Sequence, residues 1–266
     1  MAKAEKEDGG IVETIKTVFW ALVIAIVFRS LLFQPFWIPS ASMKDTLLIG
    51  DFLFVNKMAY GYSRYSCEVP ILKVSLCPIT GRVLGSAPER GDVVVFRHPT
   101  KGVDYIKRLI GLPGDTVQVK EGLLYINGTL APQAEAGTFS ELIEPQGPQG
   151  GLPRCAETVG DQCNWPRATE TLPNGRSHDV LNIEDGGARS ADNTDVYTVP
   201  EGTYFFMGDN RDDSVDSRFP VTGGGVGFVP AEYLIGRADR VMFSSAGRRL
   251  VYFWTWRADR FFKAIE

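Results

Sequence analysis

One uninterrupted apolar run decides most of what this chain can become. From Thr17 to Phe28 (TVFWALVIAIVF) twelve residues carry no charge, with Glu13 and Lys16 on one side and Arg29 on the other. Crossing a hydrocarbon core takes roughly 17 to 25 residues, so the run alone is short. Ile11, Val12 and Ile15 extend the apolar surface upstream and Leu31, Leu32 and Phe33 extend it downstream, while Lys16 and Arg29 can carry their charges to the interfaces on flexible stems. The pattern predicts one tilted transmembrane helix. The opening MAKAEKEDGG is mixed in charge and RSLLFQPFW follows the run, so neither the basic start nor the small-x-small site of a cleaved signal peptide is present and the helix reads as an uncleaved anchor. Lys3, Lys6 and Lys16 before the span and Arg29 and Lys44 after it give only a weak charge bias for orientation.

The rest has a globular balance. Of 266 residues 44% are hydrophobic and 23% charged, enough for one sizeable core or two modest ones. The net charge of -4, with both signs mixed along the chain, argues against a nucleic-acid partner. Four cysteines fall in two local pairs, Cys67 with Cys77 and Cys155 with Cys163, without Cys-x-x-Cys spacing and with two histidines in the chain to complete a metal site. They read as two disulfides in an oxidising compartment, which places the bulk of the chain outside the cytoplasm; other connectivities and chance thiols are the alternatives.

Beyond the anchor the signals are short and strand-like. FLFVNK (52–57), DVVVFR (92–97), DYIKRLI (104–110), TVQVK (116–120), LLYIN (123–127) and TYFFMG (203–208) are rich in β-branched and aromatic residues between Gly, Pro, Asn and Asp. The chain is therefore mostly β. Asn127-Gly128, between LLYI and TLA, predicts a hairpin with a type I′ turn, which accounts for the Asn-Gly-Thr sequence without a glycan. From about residue 131 to 195 Gly, Pro, Gln, Glu, Asp and Asn dominate, a composition that cannot build a core of its own size. This reads as an irregular extension held by Cys155 and Cys163 and inserted into one β domain. The expected organisation is a tail and anchor over 1–33, a β core over 34–119 and 196–246, an inserted β extension over 120–195, and an aromatic, basic tail over 247–266. That tail either lies at a membrane interface or packs on the core as a strand and short helix.

Chemistry has to be sought among serines and lysines. A serine hydroxyl is a weak nucleophile at neutral pH without an adjacent base. His98 sits in a turn after a strand and His178 in the polar extension, so a Ser-His-Asp triad would need one of these two. Lysine can replace histidine if burial disfavours its ammonium. In DYIKRLIGLPGD, alternation puts Tyr105, Lys107 and Leu109 on one strand face and Ile106, Arg108 and Ile110 on the other. The plain alternative is an edge strand whose Lys107 and Arg108 both reach solvent. Ser42, in Ser42-Met43-Lys44-Asp45, has the S-x-x-D form of a helix start and could serve only as a cap. The Asp-rich GDNRDDSVDSR lacks the ligand spacing of a calcium loop.

What raises the serine above a cap is the ordered set of motifs: the anchor, then PSASM followed by TL, GDVVVF, YIKRLIGLPGD and FMGDNRDDSVDSR. In that order they resemble bacterial type I signal peptidase, a membrane-bound Ser/Lys protease, over roughly 11–119 and 196–241. The resemblance implies a membrane-anchored β fold in which Ser42 is the nucleophile and Lys107 the general base. It also implies an oxyanion hole from the Ser42 backbone N–H and the Ser40 hydroxyl, a Ser214 hydroxyl that orients the lysine amine, and a supporting Asp216–Arg218 ion pair. Phe36, Ile38, Pro39, Leu53, Tyr105 and Ile106 are candidates to line shallow pockets for small residues at the -1 and -3 positions of exported preproteins. No metal, nucleotide or other cofactor is implied, and the implied setting is the bacterial inner membrane with the catalytic part on its outer face. Ala41 stands where the family commonly has glycine, Asp213 where it often has asparagine, and RFPVTGGGVGFVP carries a glycine-rich insertion. A self-cleaving Ser/Lys repressor-type peptidase and a non-enzymatic membrane-tethered β-scaffold are the rival readings.

Overall fold

The computed structural model describes residues 10–69, 74–77, 79–147, 150–183, 191–247 and 252–265. The apolar run forms a single α-helix, Gly10–Leu31, about 33 Å long at 1.5 Å per residue. It is apolar on every side, and Ile11, Ile15, Phe19, Leu22 and Ile24 stand exposed. Among the described residues nothing buries its apolar window, and the helix is long and apolar enough to cross a membrane. Its C-terminal end is fixed to the globular part. The buried Lys57 amine donates to the Ser30 and Ser66 carbonyls, Tyr62 Oη donates to Leu31 O at 3.0 Å, and Lys57 N donates to Leu32 O at 3.0 Å. Carbonyls that a helix end leaves unpaired are thus satisfied by a cation and a phenol.

The chain then passes directly into a seven-stranded antiparallel sheet, in the order Phe33–Trp37, Asp51–Asn56, Leu234–Ser244, Val93–Arg97, Asp104–Gly111, Thr203–Met207 and Val229–Pro230. Register shifts in Leu234–Ser244 and between Phe205 and Phe206 bend and curl it. Val93–Arg97 is central and buried on both faces: Val93 and Val95 join one core cluster with Ile38, Leu53 and Ile106, whereas Val94 and Phe96 join another with Leu109 and Phe206. That accounts for a run of apolar residues without alternation. A smaller sheet orders Thr129–Leu130, Leu123–Ile126, Thr116–Lys120 and Tyr197–Thr198. The expected Asn127-Gly128 turn is present, with Ile126 facing Thr129 and positive φ at both turn residues, 53° and 75°.

The polar segment is more regular than its composition suggests. Ten-residue strands Gln133–Leu142 and Gln162–Thr171 pair along their length, with Glu157–Val159 and Ser177–Leu181 on the far side of the latter. Its apolar centre is small, built on Cys163, Trp165 and Leu181 with Phe139 against them, so main-chain pairing rather than a large core holds it. Both expected cysteine pairs are bonded, with Cα separations of 5.6 Å for Cys67–Cys77 and 5.1 Å for Cys155–Cys163.

The C-terminal tail packs on the core in part, as 3-10 turns rather than a strand and helix. Short 3-10 turns at Phe253–Thr255 and Ala258–Arg260 dock on the sheet, Arg260 pairing with the buried Asp51 and donating to Thr46 O, while Phe253, Trp254 and Phe262 remain exposed. Removing one partner of a buried pair strands the other charge, so Arg260→Ala is expected to destabilise the protein by about 3 kcal/mol in denaturant unfolding. A loss under about 1 kcal/mol, the range of an exposed ion pair, would show that solvent reaches Asp51.

Candidate active site

Ser42 lies on a turn between the first two strands of the large sheet rather than at a helix start. Met43 and Leu47, both fully buried, sink that turn into the core, and Leu47 N closes onto Met43 O at 2.7 Å and Lys44 N onto Ala41 O at 2.9 Å. Ile38 N donates to Asp51 O and Gly50 N to Ile38 O, so the base of the turn is pinned as well. A second loop grips it from the side. Asn210 Nδ2 donates to Ala41 O at 3.1 Å and Asn210 N to Ser42 O at 3.2 Å. The approach leaves no room for a side chain at Gly208, where a Cβ would fall 2.4 Å from Ser42 O and 2.3 Å from Ser214 Oγ.

Lys107 comes from the strand Asp104–Gly111. Its Nζ lies 2.5 Å from Ser42 Oγ and donates to Ile106 O at 3.0 Å, with the Tyr105 ring centroid 5.6 Å away. The reading of Lys107 and Arg108 as a solvent-facing pair is overturned: they are 4% and 1% exposed. Burial lowers the Lys107 pKa to about 8, against the pull of the Asp216 and Asp209 carboxylates, which favour the ammonium. Arg108 forms a two-pronged pair with Asp209, Nε to Oδ1 and Nη2 to Oδ2 both at 2.8 Å, and Thr46 Oγ1 donates to the same carboxylate at 2.6 Å.

The other expected residues fall in different places. Ser40 is exposed, its Oγ 3.5 Å from Ser42 Oγ. Ser214 is buried against Gly208, close to Asp216, and makes no hydrogen bond to the Lys107 amine in this structure. Asp216 and Arg218 form a buried two-pronged pair at 2.9 Å on each side, and Gly208 N also donates to Asp216 at 3.0 Å. Burial pushes the Asp216 carboxyl up, but the Arg218 guanidinium outweighs it and holds the group below its ordinary range. Phe36, Ile38, Leu53 and Ile106 gather in the cluster that also holds Met43 and Leu47, whereas Tyr105 packs with Phe96 in the neighbouring cluster and Pro39 is exposed. Among the described residues neither histidine reaches Ser42: His98 Nδ1 accepts from the amides of Thr100 and Lys101, and His178 lies beside Glu170 and Asp209.

Two contributors escaped sequence reasoning. Asp209, the partner of Arg108, is 101 positions away, and Asn210 reaches across to a turn 169 positions distant. The available signal was an arginine inside an otherwise apolar strand, since a buried guanidinium demands a carboxylate.

Known proteins resemble this chain over most of its length. The family described as signal peptidase, peptidase S26, matches residues 11–243. The Signal peptidase I of Rickettsia canadensis (strain McKiel) is 40% identical over 239 residues, covering 86% of this chain and 79% of the relative. That of Rickettsia typhi (strain ATCC VR-144 / Wilmington) is 40% identical over 246 residues, covering 88% and 82%. A crystal structure of a signal peptidase I from Enterococcus faecalis V583 matches with 27% identity, 57% of this chain, 97% of its own and a TM-score of 0.30. On the family match and on relatives of that identity along most of its length, the chain belongs to the signal peptidase family, peptidase S26.

Proposed function

We propose that this protein is a membrane-bound endopeptidase that removes N-terminal signal peptides from exported preproteins, with Ser42 as nucleophile and Lys107 as general base. The observation that carries this reading is the buried 2.5 Å contact between Lys107 Nζ and Ser42 Oγ. With the amine neutral, its lone pair takes the Ser42 proton across that contact while Oγ attacks the scissile carbonyl. The ammonium so formed protonates the leaving amine, and an acyl-enzyme remains. Lys107 then activates the water that releases it. Ser40, beside Ser42 on the open side, supplies a hydroxyl to the oxyanion together with the Ser42 N–H. Asp216–Arg218 braces the segment that carries Ser214, and in this reading the Ser214 hydroxyl orients the lysine amine. In this reading small residues at -1 and -3 meet the apolar surface at Phe36, the partly buried edge of the cluster of Ile38, Leu53 and Ile106 next to the turn.

The helix Gly10–Leu31 anchors the enzyme where its substrates are held, which brings both to one surface. Lipid contact continues beyond the helix. Rings run from Phe28 through Phe33 to Phe54, and from Trp37 through Phe52 and Phe243 to Trp256, with Phe54, Phe253 and Trp254 exposed. Aromatic side chains of this kind favour the bilayer interface. The two disulfides favour the oxidising, outer side of a bacterial inner membrane.

Ser42→Ala and Lys107→Met are each expected to lower cleavage of a preprotein by at least about 10³-fold, measured on purified full-length protein in detergent. Full cleavage by the Lys107 variant would remove it as the base. Because the amine must be neutral to accept a proton, kcat/KM should climb as pH rises through about 8 and level off above it; a profile that already plateaus near pH 6 would contradict the assignment. Ser40→Ala should lower kcat by about 10²-fold with little change in KM, the signature of a lost oxyanion donor.

A further inference from the structure

Two residues beyond Ser42 stands a cation that the chemistry above does not use. Lys44 is 1% exposed, and its amine pairs with Glu141, lies 3.4 Å from Gln146 Oε1 and sits 4.8 Å from the centroid of the Trp165 ring. Every one of these partners belongs to the polar extension, whereas the Lys44 backbone closes the nucleophile turn through its N–H to Ala41 O. The extension is built to hold Glu141 still. Glu141 faces Cys163 across the strand pair, Cys163 is bonded to Cys155, and the Trp165 indole N–H donates to Arg154 O at 2.8 Å. The same sheet also holds the loop that faces Lys107. Leu181 N donates to Asp209 O at 2.9 Å, Ile183 N to Asp212 Oδ2 at 2.7 Å and Arg154 Nη1 to Asp212 O at 3.1 Å, and Glu170 pairs with Arg211.

Taking Ser42 as the nucleophile, we propose that Lys44 and Glu141 are a positioning pair for it, and that the extension is the platform on which the two active-site loops are set relative to each other. Met43 and Leu47 set the depth of the turn by non-directional packing, and Asn210 holds the Ala41 and Ser42 carbonyls; the Lys44–Glu141 pair adds a directional contact to the residue that follows Met43. A buried ammonium with one carboxylate partner has a defined direction and a large penalty for leaving it. Together with the Asn210 contacts it therefore sets where the Ser42 hydroxyl points.

The test uses full-length protein in detergent and a preprotein substrate, with wild type and Ser42→Ala as references. Lys44→Met and Glu141→Gln should each lower kcat by about 10 to 100-fold with KM nearly unchanged, the cost of displacing a reacting atom by about an ångström. The double variant should be no worse than the weaker single, because both break one contact, and Glu141→Asp, which keeps the carboxylate, should recover most of the loss. Glu141→Gln keeps the side chain's shape and an acceptor for Lys44, and denaturant unfolding of each variant separates a loss of fold from a loss of positioning. Wild-type kcat in Lys44→Met and Glu141→Gln overturns the proposal, as does a loss carried in KM, or one that Glu141→Asp does not relieve. A wild type that cleaves nothing, or a Ser42→Ala that still cleaves, overturns instead the assignment of the nucleophile.

Discussion

A lysine amine kept out of water beside a serine hydroxyl is the constraint around which the rest of this protein is arranged. Drawing a lysine pKa down toward neutrality requires removing the amine from solvent and denying it a direct carboxylate partner, because either water or an ion pair favours the ammonium. The two carboxylates that favour the Lys107 ammonium most are each paired with an arginine: Asp216 with Arg218 and Asp209 with Arg108. These pairs hold the loops that frame Ser42 and Lys107. They also neutralise charges that would otherwise draw a proton onto Lys107.

Burial alone does not make a base, and the chain contains its own control. Lys57 is as buried as Lys107 and its pKa is likewise lowered to about 8. Its amine, however, points at the Ser30 and Ser66 carbonyls and closes the end of the membrane helix. Lys107 points at a hydroxyl. In the proposed reaction, the difference between a structural lysine and a reactive one lies in which oxygen the amine meets.

Much of this was legible in the residues. The apolar run, the short β-rich segments, the Asn127-Gly128 hairpin and the two local cysteine pairs are all local signals, and local physics realised each of them within a residue or two. The extension was harder to read. Its strands, such as Gln133–Leu142, are largely exposed along their length, so neither alternation nor an apolar run marks them. Their order comes from main-chain pairing with partners that composition does not reveal. Arg108 was open to misreading for a related cause: a charge in a strand looks like an edge until its partner arrives from a distant loop.

Sequence by itself determined that one segment is apolar enough to leave water as a helix and that the remainder folds mostly as strands, since both follow from side-chain character over a few neighbouring positions. The pairing of a serine with a lysine came instead from the resemblance of their motifs to a family. Only the tertiary structure decided that Lys107 reaches Ser42, that Arg108 is buried on Asp209, and that Lys44 is held by Glu141, pairs separated by 65, 101 and 97 positions. Dielectric environment and the direction of a hydrogen bond are properties of what surrounds a group in space, and they exist only once the sheets have closed around it.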